Sequence, residues 1–161
     1  MNPNTRLSTL TIIAAFILSM MPLPDWAQAF RPDWVTLVLI YWVMALPANI
    51  GVTIAWCVGL MLDVSHGALL GQHALGLVLV IYVVHSQHQR LRVASLVQQA
   101  IVIFILLLMK QAIVLWVSGI MGHPPDSWLY FMSSLTGALF WPWIYIILRD
   151  LRRKFAHKSH Y

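Results

Sequence analysis

The chain has 161 residues, of which 60% are hydrophobic and only 9% are charged, with a formal net charge of +5. A soluble domain carries roughly 25% charged residues, because water must solvate most of its surface. The composition therefore excludes an ordinary soluble protein and predicts a single all-α domain with lipid as its solvent.

The first apolar run covers residues 7–21 and ends at Pro22 and Pro24. About 20 apolar residues in a helix span the hydrocarbon core of a bilayer, so we interpret this run as a retained first span. A cleavable signal peptide is the alternative, because Arg6, the run and Ala27-Gln28-Ala29 also follow the order of such a segment.

The second apolar run, residues 34–62, is too long for one typical span, and Pro47-Ala48-Asn49 interrupts it. Since Pro and Asn are turn formers, we predict two short helices, at about 34–46 and 50–63, that form a tight hairpin. Each would be only about 20 Å long. Short spans of this kind require local thinning of the bilayer or extension beyond the run.

The remaining spans are predicted at about 69–84, 93–120 and 128–148, followed by a basic tail at 149–161. The total is six transmembrane helices, and the alternative is five, with residues 34–62 as one broken span. Charge favours six, because a cytoplasmic N-terminus then places eight bases in inner segments and only Arg31 in outer ones. Both termini are therefore predicted to be cytoplasmic. The basic excess is assigned to membrane orientation, with no nucleic-acid partner.

Motifs for catalysis are missing from the sequence. The chain has no glutamate, no Gly-rich phosphate loop, no nucleophile elbow and no metalloprotease pattern. Cys57 is the only cysteine, and the spacing of Asp63, His66 and His73 is not typical of a metal site. We predict no enzyme, no cofactor and no metal, which leaves transport, lipid handling or protein–protein interaction.

Lys110 lies near the middle of the run 93–120. A charge at the centre of a spanning helix costs about 2.5–3.5 kcal/mol on insertion scales, so it is a candidate functional residue. One interpretation is that Lys110 faces a partner helix or an internal acid. The other is that its long side chain reaches water along a tilted helix.

The acidic residues have separate expected roles. Asp63 ends the third span, where the helix dipole disfavours an acid, so we expect it to have a partner: Lys110, His66 or loop amides. Asp33 and Asp126 each precede an apolar run and fit as helix N-caps.

Small residues form a stripe at every fourth position, a spacing that allows helices to approach closely. The stripe and its continuation comprise Gly51, Ala55, Gly59, Asp63, Gly67 and Gly71. It is interpreted either as contact inside the chain's own bundle or as a docking face for another protein's helix.

Two further features lie near the C-terminus. Pro142 interrupts the last span and predicts a kink. The basic residues that follow are interpreted as an anchor for topology or as a contact for a cytoplasmic protein. They are Arg149, Arg152, Arg153 and Lys154.

Three stretches carry a resemblance to a known family: Phe30-Arg31-Pro32-Asp33-Trp34, Gly59 to Gly67 with Leu70-Gly71, and Trp141-Pro142-Trp143 with the basic segment after it. Together with the length and the order of the runs, they resemble the MreD family of bacterial rod-shape-determining membrane proteins. The likeness covers nearly the whole chain and is weakest at 93–122, so it assigns no role to Lys110.

The resemblance implies a scaffold of the cell-wall elongation complex in the bacterial inner membrane. Such a protein would bind membrane lipids and MreC, and it would link MreB filaments, directly or through MreC, to RodA and the elongation-specific penicillin-binding transpeptidase. We expect the partner's span to pack on the Gly51–Ala55–Gly59 face, so that Gly59→Leu would abolish co-purification with MreC.

The family is also similar in architecture to the substrate-binding subunits of energy-coupling-factor vitamin transporters. This similarity gives an alternative function, which predicts a solute pocket near the outer side, at about residues 63–71.

Overall fold

The computed structural model describes residues 2–124 and 127–158, and these residues form helices without strands, as predicted. Its helices are α1 (Pro3–Met20), α2 (Asp25–Gln28), α3 (Trp34–Ala45), α4 (Val52–His66), α5 (Gln72–Val93), α6 (Leu96–Ile120) and α7 (Met132–Lys158), with a 3-10 helix at Trp128–Phe131. Each of the six apolar runs overlaps one of the helices α1 and α3 to α7, but α5 continues nine residues past the predicted end of its run at 84.

Local sequence explains where the helices end. α3 stops at Ala45 and α4 begins at Val52, so the Pro-Ala-Asn segment separates two helices. α4 ends at His66 and is capped by Gly67, which has a left-handed backbone with φ of 63°. α6 begins with a capping box, in which the Ser95 side chain accepts from the Gln98 N–H and the Gln98 side chain accepts from the Ser95 N–H.

The predicted tight hairpin of α3 and α4 is wrong. α3 packs mainly on α1, α5 and α7, whereas α4 packs mainly on α5. The reason lies in the composition of α3, which is apolar on every side. A single neighbouring helix covers only one face, whereas all residues from Val35 to Met44 are buried.

Enclosure of α3 also removes the need for a thinned bilayer or a longer helix. α3 has 12 residues and is therefore about 18 Å long, too short to span the hydrocarbon. Protein surrounds it, however, so its length does not have to match the thickness of the lipid. The requirement inferred from the sequence does not apply to this helix.

The outer surface of the bundle is rich in large apolar side chains. Two segments, Leu96–Ile120 and Trp128–His157, are long and apolar enough to cross a membrane, and α3 and α4 are shorter apolar helices. Exposed apolar residues include Leu10, Ile17, Ile105, Trp116, Leu139 and Ile147. A surface of this kind suits lipid rather than water.

α7 is continuous from Met132 to Lys158, although it contains Pro142. Proline has no N–H to donate to the Ala138 carbonyl, and the helix is not broken there. Trp141, next to it, is fully buried and donates from Nε1 to Gln99 Oε1 at 3.1 Å. Consequently the described part of the basic tail, residues 149–158, forms the last ten residues of α7 rather than a separate segment.

Candidate functional site

Lys110 is buried in α6 with only 4% of its surface exposed. Its Nζ donates to Asp33 Oδ2 and, at 2.8 Å, to Thr36 Oγ1. The structure agrees with the first of the two interpretations from the sequence, in which Lys110 faces an acid inside the chain. The side chain does not extend along α6 to water. The charge within the apolar helix is thereby neutralised by an acid at the start of α3.

Asp33 serves as the N-cap of α3, as expected. Its Oδ1 accepts from the Thr36 N–H at 3.4 Å, and its Oδ2 accepts from Thr36 Oγ1 at 2.7 Å. Burial on its own would raise the pKa of Asp33, but the charge of Lys110 and the hydrogen bonds from Lys110 and Thr36 outweigh it and hold the pKa below the usual value. The other expected cap, Asp126, lies outside the described residues.

Gly76 of α5 makes room for the lysine. A Cβ added at Gly76 would lie 2.9 Å from Lys110 Cγ and 3.4 Å from the Lys110 carbonyl oxygen. Sequence reasoning missed this role and the roles of Asp33 and Thr36 as partners of Lys110. The capping pattern at Asp33 was visible in the sequence, but nothing in the pattern connects it to a lysine 77 positions later.

Asp63 is fully buried at the end of α4 and is held by the start of α5. Its carboxylate accepts from the N–H groups of Gly71 at 2.8 Å, His73 at 2.7 Å and Ala74 at 3.4 Å, and His73 Nδ1 lies 2.9 Å from Oδ1. Of the expected partners, backbone amides are therefore present, and Lys110 pairs with Asp33 instead. The positive end of α5 compensates for the unfavourable position in α4.

His66, the third expected partner, does not bond to Asp63. Its Nδ1 lies 2.9 Å from the Leu62 carbonyl oxygen, and its ring stacks on His73 with centroids 5.3 Å apart. Within residues 2–124 and 127–158, no group of three or more His, Cys, Asp or Glu side chains could hold a metal ion.

A polar cavity of about 320 Å³ lies at this end of the bundle. The charged, histidine and tyrosine residues of its lining are Arg31, Asp33, His66, His73, Lys110 and Tyr130. Arg31 donates to the carbonyls of Ser19 and Met21 at the end of α1, and its buried Nε has no hydrogen-bond partner among the described residues. The lining includes several hydrogen-bond donors, among them Arg31, Lys110 and Tyr130, which could bind a polar solute, but it contains no carboxylate pair for acid–base chemistry.

The stripe of small residues is used inside the chain. A Cβ at Gly59 would lie 2.3 Å from Ala74 Cα, so α4 and α5 touch at this point. Ala55 is fully buried. A Cβ added at Gly51, in contrast, would have no atom within 4 Å. α5 therefore occupies the Gly51–Ala55–Gly59 face at Gly59, which leaves no room for a partner's helix at this position.

Gly67 and Gly71 do not extend the stripe. They have φ values of 63° and 102°, which disfavour a side chain, and they form the turn between α4 and α5. The geometry of this turn brings the amides of α5 over Asp63.

The basic residues of α7 differ in exposure. Arg153 and Lys154 are exposed, whereas Arg149 and Arg152 are half-buried. Arg149 Nε lies 3.5 Å from Asp150 Oδ1, and Arg152 faces a small pocket between helices. Of these four residues, Arg153 and Lys154 are therefore the better placed to meet a partner outside the bundle.

Sequence reasoning also missed the polar contacts of two buried side chains, Gln99 and Trp42. Gln99 is 2% exposed and donates to the Leu91 carbonyl at 2.7 Å while it accepts from Trp141. Trp42 Nε1 donates to Thr11 Oγ1 at 2.8 Å, which links α3 to α1. A glutamine in an apolar run is a visible signal, but its partners become apparent only in three dimensions.

Comparisons with known proteins agree with each other. A family model described as rod shape-determining protein MreD matches residues 3–151. The Rod shape-determining protein MreD of Haemophilus influenzae is 30% identical over 142 residues, which cover 88% of each chain. No solved structure matches.

Proposed function

The chain belongs to the MreD family of rod shape-determining proteins, and from this premise we propose that it is a non-catalytic membrane scaffold of the bacterial cell-wall elongation complex. The family match over residues 3–151 carries the proposal and supports a role in cell shape. In this role the chain holds MreC and connects MreB filaments to RodA and the elongation-specific transpeptidase.

The scaffold spans the inner membrane six times with both termini in the cytoplasm. Six helices that overlap the six apolar runs, of which α3 is short and enclosed by protein, and a surface of exposed apolar side chains support this topology. Arg92 of α5 and Arg152 of α7, both assigned to inner segments, line the same pocket. Arg31, the one base assigned to the outer side, lies at the other end of the bundle beside Asp33.

MreC docks in a groove between α1 and α4. α1 packs mainly on α3 and α7, and α4 packs mainly on α5, so the space between α1 and α4 is open. This apolar groove of about 410 Å³ is lined by Phe16, Met20, Leu60, Met61, Val64 and Ser65. Met61 and Val64 are 58% and 70% exposed, on the side of α4 away from Gly59.

A pair of matched substitutions tests this docking. Met61→Trp fills the groove, whereas Ile105→Trp changes a residue of the same 58% exposure on α6, which packs on α5 and α7. Tagged proteins would be purified from native membranes and the MreC that accompanies them measured. We expect Met61→Trp to lower MreC recovery about tenfold, which corresponds to ~1.4 kcal/mol of binding free energy.

Ile105→Trp should recover MreC as the unchanged protein does, and both variants should reach the membrane in equal amounts. Full recovery of MreC with Met61→Trp would reject the groove as the docking site. If no MreC accompanied the unchanged protein, although that protein was purified intact, the scaffold function itself would be rejected.

A second function is favoured by the polar cavity. Its volume is within the range of small-molecule sites, and Leu62, His66 and His73 place it beside the turn at 67–71. The alternative function, a solute-binding subunit similar to those of energy-coupling-factor vitamin transporters, predicts a pocket there. Thermal unfolding of the purified protein with a panel of vitamins tests it: a specific rise in the unfolding temperature supports solute binding, and no rise with any vitamin rejects it.

A further inference from the structure

A second, smaller pocket lies at the opposite end of the bundle from Lys110, where α3 and α5 end. Its volume is about 40 Å³, and its lining residues are Tyr41, Met44, Ala45, Arg92, Tyr145 and Arg152. A single buried water needs roughly 10–15 Å³ of such space. The pocket therefore has room for a group larger than one water molecule.

The lining is basic and contains no acid. Arg92 donates from Nε to the Met44 carbonyl at 3.1 Å and from Nη2 to the same oxygen, which fixes its guanidinium at the end of α3. Arg152 enters from α7. Asp150, the nearest acid in the sequence, lies beside Arg149 and does not line the pocket. Two guanidinium groups without a carboxylate favour an anion, and their planar forks match a phosphate.

Tyr41 provides an independent observation. Its side chain is buried, with 3% of the residue exposed, and its hydroxyl has no hydrogen-bond partner among the described residues. Buried polar groups are nearly always hydrogen-bonded. Tyr41 is also one of the residues that line this pocket, so a phosphate oxygen bound there would give the hydroxyl an acceptor for its hydrogen.

The surroundings of the pocket resemble a membrane interface. Val93, directly after Arg92, exposes 85% of its surface, and Ile147 of α7 exposes 56%. Apolar residues of this kind would contact acyl chains below a headgroup, whereas a free phosphate ion would not use them. The charged part of α7 begins within two residues of Ile147.

We propose that this pocket binds the phosphate of an anionic phospholipid. The chemistry of the pocket does not depend on the scaffold function, but the assignment to the cytoplasmic leaflet rests on the topology under Proposed function. Basic pockets between helices on the cytoplasmic side are suited to anionic headgroups. The bound lipid would join the ends of α3, α5 and α7 through one phosphate.

Native mass spectrometry of the full-length protein in neutral detergent tests the proposal, with phosphatidylglycerol as the probe and phosphatidylcholine as the zwitterionic reference. Arg152→Gln removes a charge that lines the pocket. Arg153→Gln removes the same charge from the exposed neighbour and is the matched control. We expect the first phosphatidylglycerol molecule to bind about tenfold more weakly to Arg152→Gln and unchanged to Arg153→Gln.

Tyr41→Phe removes only the hydroxyl and keeps the packing, so it tests the site even if Arg152→Gln fails to fold. It should weaken phosphatidylglycerol binding several-fold and leave phosphatidylcholine binding unchanged. Equal losses for Arg152→Gln and Arg153→Gln would overturn the proposal, because they would indicate attraction by the whole tail. Binding of inorganic phosphate that competes fully with the lipid at equal concentration would also overturn it in favour of a soluble ligand. Unchanged lipid binding in all three variants would overturn the proposal as well, because it would show that the lipid does not bind in this pocket.

Discussion

At Lys110 the chain places a cation in an apolar helix and neutralises it with an acid from another helix. The sequence was sufficient to identify Lys110 as unusual and Asp33 as a cap, because both signals are local. Their pairing could not be predicted, since it depends on how α6 lies against the start of α3 and on the space left by Gly76. Asp63 was more predictable, because its partners lie only 8–11 residues later in the chain.

The ion pair predicts a specific pattern of stabilities. Lys110→Met alone leaves Asp33 without its counter-charge, and Asp33→Asn alone leaves a buried lysine, so each should cost about 3 kcal/mol. The double variant should lose less than the sum of the two, since no unpaired charge remains. Thermal unfolding of the four proteins in detergent measures the coupling. Additive losses would show that the two side chains do not depend on each other.

A substitution at Gly59 is expected to lower the stability of the protein rather than to affect the docking of a partner. Gly59→Ala should destabilise the protein by about 1–3 kcal/mol, because the added Cβ would meet Ala74 Cα at 2.3 Å. Gly119→Ala in α6 is the control, since nothing lies near its Cβ position, and it should be neutral or stabilising by up to about 1 kcal/mol. Unfolding temperatures that are equal for the two variants would contradict the contact between α4 and α5.

Apolar runs and prolines were sufficient to predict the individual helices, because both signals are local in the sequence. Their arrangement was not predictable in the same way. α3 and α4 are neighbours in sequence, but α3 needs cover on every side, and α5 with α1 and α7 supplies it. The stripe at Gly59 indicated close packing correctly, yet its spacing alone could not distinguish α5 from a partner's helix.

We expect the exposed basic residues near the end of α7 to contact the MreB filament. Arg153→Glu reverses a charge that is exposed and outside the lipid pocket, whereas Arg90→Glu makes the same change in an exposed residue of α5 at the same end. Co-sedimentation with MreB filaments should fall several-fold for Arg153→Glu and stay unchanged for Arg90→Glu, provided that both variants keep their topology. Equal effects would indicate a general loss of positive charge and no specific contact by α7.

On the scale of the whole molecule, two polar sites lie at opposite ends of an apolar bundle. One is the cavity around Asp33, His73 and Lys110, and the other is the basic pocket around Arg92 and Arg152. Composition predicted a bundle in lipid, and charge predicted its orientation. The similarity to vitamin-transporter subunits predicted a pocket at about residues 63–71, but the lining of neither cavity could be derived from the sequence, because each is formed by residues of at least three helices that meet only in the folded chain.

Topology is the claim on which the assignment of both sites depends, and reporter fusions test it most directly. Alkaline phosphatase, which is active only outside the cytoplasm, would be fused after Tyr161 and, in a second protein, inserted in the turn at 67–71. We expect an inactive enzyme at the C-terminus and an active one in the turn. An active enzyme after Tyr161 would contradict the proposed topology, because the basic pocket and the exposed end of α7 would then face away from the cytoplasm.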